Sequence, residues 1–280
     1  MDNKRRNSKD GKPKRRAGTY KKAPLRKPSG KKSTNNPHTK ADDGKVRLNK
    51  FLAQAGIASR READVLISTG VVTVNGKVIT EMGFKVSPED KVTYGGESIK
   101  SEKKVYLLMN KPKDFITTAD DPFGRRTVLQ LLGKLKQRVY PVGRLDRATT
   151  GVLMLTNDGD LTKKLTHPKF GVKKIYNVKL DKNVSSTHLE HLCDGFELED
   201  GFTKADVAVH VGNGEDHKQV GIELHSGKNR IIRRMFEHLG YNVVKLDRVY
   251  FAGLTKKDLA RGQWRFLTQK EVDLLKMNQS

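Results

Sequence analysis

Apolar residues recur along this chain at two different periods, and each period marks a different kind of element. Leu48, Phe51, Leu52 and Ala55 fall at i, i+3, i+4 and i+7, the stripe of a short helix, and Gly56 suits its C-terminal end. Ser59-Arg60-Arg61-Glu62 then has the S-x-x-E form of a capping box, and Ala63, Leu66 and Ile67 carry a second helical face to Gly70. Residues 71–74 and 77–79 alternate around Asn75-Gly76, which predicts a hairpin with a tight turn. Val86 and residues 92–94 read as further short strands.

Residues 98–104 are polar and charged and predict a linker. Beyond them, the apolar run 105–109 predicts a buried strand ended by Pro112. Residues 115–121 are turn-rich, 128–135 suit a short helix, and 152–155 form a second apolar strand. A turn over 156–161 caps another short helix. Alternation over 173–180, 202–211 and 219–224 predicts strands, 184–192 a helix, and the box Thr268-Gln269-Lys270-Glu271 opens a final helix through Leu275. The pattern as a whole predicts an α+β protein. A small unit of helices plus hairpin over 45–100 precedes a mixed, largely antiparallel sheet with flanking helices over 104–280.

Composition adds a third segment. Residues 1–44 mix Lys, Arg, Ser, Asn, Pro and Gly with almost no large apolar side chains, and the first 40 hold 15 Lys or Arg against 2 acidic residues. Such a tail is expected to be disordered in isolation and able to neutralise phosphates. The formal net charge of +24 points to a polyanionic partner, nucleic acid ahead of membrane. The lone Cys193 excludes an intrachain disulfide and a cysteine-based zinc site, and suits a reducing compartment. No apolar run approaches the roughly 20 residues that span a bilayer, and the basic N-terminus lacks the apolar core of a signal peptide, so a cytoplasmic protein is expected. No metal is expected either. Asp158 and Asp160 lack the glutamate and length of a calcium loop, and His188 and His191 have no third ligand nearby.

The densest chemistry is in Gly143-Arg144-Leu145-Asp146-Arg147-Ala148-Thr149-Thr150-Gly151, which runs straight into the strand at 152. A carboxylate between two guanidinium groups is expected to stay ionised, because nearby positive charge favours that form. Asp146 is then either a nucleophile or a partner of Arg144 or Arg147 that ties down a turn. Asp120, Asp121 and Arg125 read as a solvated loop. No phosphate-binding glycine loop or HExxH helix is present, so no cofactor is expected.

The 143–151 string resembles the signature of the pseudouridine synthases, in the branch that contains the RsuA and RluB enzymes of ribosomal RNA. Lys173-Lys174-Ile175-Tyr176 resembles the K-x-Y motif of that family, and the stretch from Gly227 to Phe236 resembles its third motif. The resemblance implies Asp146 as the catalytic carboxylate, Tyr176 as a ring against the target base, and Arg233 as the arginine paired with Asp146. The segments 46–52, 58–63 and 70–76 resemble the S4 RNA-binding domain. That likeness implies phosphate contacts at Arg47, Lys50, Ser59, Arg60, Arg61 and Lys77, and the synthase motifs add Arg144, Arg147, Lys228, Arg230 and Arg234. The implied function is isomerisation of a uridine in ribosomal RNA, naked or in a precursor particle, by a monomer. The large-subunit RNA near the peptidyl-transferase region is the expected target, with the small-subunit RNA and a non-catalytic assembly role as alternatives.

Overall fold

The computed structural model describes residues 44–100, 102–212 and 216–277, so the basic tail expected over 1–44 lies outside the described residues apart from Gly44. The first helix, Leu48–Gln54, buries Leu48 and Leu52, and its neighbour Arg60–Ser68 buries Ala63 and Ile67. Ser59 and Glu62 complete the expected capping box: the Ser59 side chain accepts from the Glu62 amide, and Glu62 accepts from the Ser59 amide at 2.6 Å. Asn75 and Gly76 both take positive φ, 52° and 78°, and close the hairpin of Val72–Val74 and Lys77–Val78. These elements enclose a small core of their own with Val86 and Val92. The linker expected from residue 98 starts slightly later, because Glu97–Ser98 adds a fourth strand to the hairpin sheet.

The rest of the chain is built on one mixed sheet. Its central path runs Val207–His210, Gln219–Leu224, Lys174–Leu180, Val243–Phe251, Thr150–Thr156, Tyr106–Lys111 and Trp264–Phe266. Neighbours on this path are antiparallel except where Val243–Phe251 meets Thr150–Thr156 in parallel, with Asp247 opposite Thr150 and Arg248 opposite Gly151. That contact explains the last glycine of the 143–151 string. Gly151 has φ +108°, and a Cβ there would lie 2.1 Å from the Arg248 carbonyl oxygen. Only a residue without a side chain lets the strands meet at this point.

One core lies under the strands around Val178, Val220 and Ile222 and takes in the buried face of helix Ile231–His238. Two others flank the strands Tyr106–Lys111 and Thr150–Thr156. Several boundaries differ from the expected pattern. The helix expected over 128–135 is a single 3₁₀ turn, Val128–Leu132, ended by Gly133, and the strand expected over 202–211 is two strands, Gly201–Thr203 and Val207–His210. The longest strand, Val243–Phe251, carries Lys245, Asp247 and Arg248 among its apolar residues and therefore lacks a clean alternation.

Among the described residues no helix is long and apolar enough to cross a membrane. Asp158 acts as an N-cap, accepting from the amides of Asp160 and Leu161, and also accepts from the Tyr106 hydroxyl at 2.9 Å. His188 meets the Tyr241 hydroxyl at 2.7 Å.

Candidate active site

The loop that carries Asp146 is held by its main chain. Leu145 is buried and exchanges two hydrogen bonds with the Thr117 hydroxyl, accepting at its carbonyl (2.8 Å) and donating from its amide (3.3 Å). The Thr149 amide donates to the Asp146 carbonyl at 3.0 Å, and the Asp114 amide donates to the Arg147 carbonyl at 2.9 Å. Beneath the loop lies the ammonium of Lys111, wholly buried at the end of its strand, which donates to the main-chain oxygens of Pro112, Asp146, Arg147 and Thr149 at 2.8–3.3 Å. Burial pushes the Lys111 amine down to about 8, against the opposing pull of Asp146 and Asp114. Lys111, Thr117 and Asp114 do not stand out in the sequence. Lys111 ends an apolar strand and reads as its polar terminus.

With its backbone fixed, the Asp146 carboxylate remains about one-third exposed. It does not pair with the neighbouring arginines of its own loop. Arg147 turns to Asp114 at 3.4 Å, and the cations near Asp146 come from residues 230–233: Arg230 at 3.8 Å and Arg233 at 4.0 Å. Arg230 sits at left-handed φ 46° immediately before helix Ile231–His238. Its turn and the first helical turn bring both guanidiniums to the same side, while Ile231, Ile232, Met235 and Phe236 go into the core. Arg233 is largely buried and donates from Nη1 to the Val243 carbonyl at 2.9 Å, and its Nε is buried without an acceptor. Burial and then the nearby Arg230 lower the Arg233 pKa, with Asp146 opposing them. The guanidinium is thus anchored by one edge and keeps a spare donor on the side of Asp146.

Behind Asp146 lies a cavity of about 200 Å³ lined by Asp146, Tyr176, Ile232, Leu246, Arg248 and Phe251 among others. It is smaller than the usual drug-sized pocket of roughly 300–1,000 Å³. Tyr176 comes from strand Lys174–Leu180, opposite Arg248 of Val243–Phe251. Lys174 spends its ammonium on the carbonyls of Val172 (2.6 Å) and His225 (2.9 Å), and burial followed by the Arg248 charge pushes it down to about 8. A second cavity adjoins the first at Asp146. Thr118, Asp121, Arg125, Arg144, Asn229 and Arg230 help to line it. As a solvated loop should, Asp120 and residues 122–126 stay exposed; the Asp121 carboxylate is covered by its own neighbour Arg125, which donates to it at 2.6 Å.

Residues 105–238 match the family described as RNA pseudouridylate synthase, and residues 46–92 match the S4 domain. The chain is 42% identical over 233 residues to the ribosomal large subunit pseudouridine synthase B of Bacillus subtilis, covering 82% of this chain and 95% of that protein. It is 39% identical over 229 residues to an uncharacterized RNA pseudouridine synthase of Aquifex aeolicus, covering 81% of this chain and 92% of the other. The chain belongs to the RNA pseudouridine synthase family. Its fold agrees: a crystal structure of a pseudouridylate synthase superposes with a TM-score of 0.59 at 30% identity, covering 82% of this chain and 99% of that one.

In this synthase the cations expected to meet RNA fall into two groups. Arg47, Arg60, Arg61 and Lys77 of the S4 segment are exposed, as are Arg144 and, despite its contact with Asp114, Arg147 beside Asp146. Others are tied more closely to partners. Lys50 reaches Asp160 at 2.6 Å, tying the first helix to the first turn of helix Gly159–Thr166, and the Ser59 oxygen accepts the Glu62 amide. Arg234 grips Asp200 through two bonds of 2.9 Å, and Lys228 donates to the carbonyls of Asp200, Gly201 and Phe202 at 2.8–3.1 Å. Those two side chains brace the hairpin of Phe196–Leu198 and Gly201–Thr203 against the 227–230 turn in this structure. Sequence order could not reveal this, because Asp200 lies more than 25 residues away from both.

Proposed function

We propose that the synthase converts one uridine of ribosomal RNA, in the large subunit near the peptidyl-transferase region, to pseudouridine, with Asp146 as nucleophile. The observation that carries the assignment is the Asp146 carboxylate itself. It is held by its backbone at the mouth of the cavity, within 4.0 Å of two arginines, and free of any closer ion pair that would consume it. The large-subunit target is supported by the name of the B. subtilis relative.

The reaction breaks the C1′–N1 bond, turns the uracil in place and joins C5 to C1′, so nothing enters or leaves. One carboxylate therefore suffices where glycoside hydrolysis generally uses two. The uridine must first leave its stack, which costs a few kcal/mol and least in loops and bulges. Asp146 bonds either C1′ or the ring. Arg233 aims the carboxylate, and Tyr176 packs on the base and assists removal of the C5 proton. Arg144, Arg147 and Arg230 anchor phosphates beside the extruded nucleotide. Residues 45–100 act as an RNA-binding domain through Arg47, Arg60, Arg61 and Lys77, ahead of a catalytic domain over 104–280. The enzyme works as a cytoplasmic monomer on rRNA or its precursor particle.

The test is to delete the gene, map pseudouridines across the rRNA by chemical labelling and primer extension, and restore either the wild type or Asp146→Asn. Loss of one large-subunit site, rescued only by the wild type, is the expected result. Loss of a small-subunit site would move the target, and persistence of every rRNA pseudouridine would overturn the reading.

A further inference from the structure

The floor of the cavity holds a charge that the assignment above does not use. Arg248 is 3% exposed and lines the cavity wall. Its Nε donates to the Val152 carbonyl at 2.8 Å, its guanidinium carbon lies 4.5 Å from the centre of the Phe251 ring, and its Nη2 is buried without an acceptor. None of these partners is negatively charged. A buried cation held only by a carbonyl and a ring is costly unless something else compensates it. Arg248 shares the cavity lining with the apolar Val142, Leu246 and Phe251, and a charge buried beside such side chains acts more strongly than one in water.

The position of Arg248 is set by sheet register. It lies directly opposite Tyr176, and side chains of such a pair stand on the same face about 5 Å apart at Cβ. Neighbouring Lys174 adds a second cation whose hydrogen bonds also go to carbonyl oxygens. A base packed on Tyr176 therefore lies over a positive floor, with Asp146 on its ribose side.

We infer that Arg248 is a further catalytic residue, a fixed cation that stabilises the negative charge on the uracil ring when the C1′–N1 bond breaks. The inference rests on the Asp146 site described above. In the route through C1′, an Asp146 oxygen forms the bond to C1′ as the C1′–N1 electron pair passes to the ring and spreads over N1, O2 and O4. After the ring turns, C5 supplies the pair that bonds C1′ and releases the carboxylate; C5 then loses its proton and N1 gains one. In the route through the ring, addition of the carboxylate at C6 passes the C5–C6 electron pair through C5 to O4, so negative charge again rises on the ring. Both routes raise negative charge over Arg248, and neither needs any further reactant. A cation fixed before the reaction loses no energy in reorganising as that charge appears.

The test uses the full chain with Arg248→Gln and Arg248→Lys, in single turnover on transcripts of its own large-subunit rRNA made with uridine or with 5-fluorouridine. The readout is cleavage of the N1-glycosyl bond. Fluorine stabilises the departing ring anion by itself. Arg248→Gln is expected to cleave uridine roughly 100-fold more slowly than the wild type, with RNA affinity unchanged, and to recover most of that deficit on 5-fluorouridine. Arg248→Lys, which keeps a cation, is expected to fall between the two. A partly unfolded variant would lose the same factor on both transcripts, so equal deficits would overturn the inference and leave Arg248 a structural residue. Wild-type rates in Arg248→Gln would overturn it as well. A wild type that cleaves neither transcript would overturn the site reading beneath it.

Discussion

The ammonium of Lys111 lies 3.2 Å from the main-chain oxygen of Asp146, beneath the loop whose side chain faces the cavity. The same nitrogen holds three further carbonyls, so one buried cation sets the height and tilt of the whole 146–149 turn. The position of Asp146 thus depends on a residue 35 positions earlier at the end of another strand.

Lys111→Met fits the buried volume but leaves these carbonyls without a donor. Each buried acceptor left unsatisfied costs about 1–3 kcal/mol, partly offset because a buried charge is removed. The expected outcome is a net loss of about 2 kcal/mol in denaturant unfolding, and a fall in kcat larger than any change in KM. A variant with wild-type kcat would show that the turn holds its shape without the lysine.

The same residue predicts a pH dependence. Its folded pKa, about 8, lies below the unfolded value near 10.5, so between those pH values the unfolded chain binds the extra proton. Stability from this group therefore rises as pH goes from about 8 to about 10.5. Unfolding curves across that window are expected to show the wild type gaining on Lys111→Met, and parallel curves would contradict the shift.

Glu271 predicts the acid side. Its carboxylate takes two bonds from Arg265, at 2.8 and 2.7 Å, and one from the Thr268 amide, and these hold it down at about 2. A lowered carboxylate pKa stabilises the fold fully above about 4.5, and the contribution is lost as pH falls towards about 2. Glu271→Gln is expected to cost about 1–2 kcal/mol at neutral pH, allowing for solvent screening of the partly exposed pair. Its stability should also fall less steeply than the wild type's below pH 4.5.

Gly151→Ala is expected to be the most damaging single methyl group in the sheet. The added carbon would sit 2.1 Å from the Arg248 oxygen at φ +108°, and neither strand can retreat without breaking the register that places Arg248 opposite Tyr176. Thermal melting should show a loss above about 3 kcal/mol or no folded protein. A melting temperature within a degree or two of the wild type would mean that the strands do not meet as described.

Lys50 is held by Asp160 at 2.6 Å, so that carboxylate competes with any RNA phosphate for it. Asp160→Asn is expected to raise RNA affinity and to steepen its salt dependence by a little under one unit of log–log slope, the increment for one phosphate contact. Filter binding at several salt concentrations would check this. An unchanged slope would mean that Lys50 remains a strut between the first helix and the first turn of helix Gly159–Thr166.

Much of the local structure was legible because it depends on near neighbours. Capping at Ser59 and Thr268, the Asn75-Gly76 turn and the strand at 219–224 follow from interactions within a few residues, and all are present. Strand Val243–Phe251 was not legible. Its Asp247 is satisfied by Thr150, Lys256 and Arg261, so local polarity misrepresents the strand's central place.

The sequence alone determined the broad class of the fold, and its resemblance to the synthase and S4 motifs singled out the candidate site residues. Asp146, Tyr176 and the 227–236 arginines stand in short strings that resemble the motifs of the synthase family, and the periods of 2 and 3.6 mark the elements around them. Only the tertiary structure decided the partnerships. It gave Asp146 the arginines at 230 and 233 in place of those at 144 and 147, assigned Lys228 and Arg234 to the Asp200 hairpin, and set Arg248 beside Tyr176. Charges interact through a few ångströms of space, and sheet register brings together residues far apart in the chain. Composition names the charges in a site, and the packed sheet determines which of them meet.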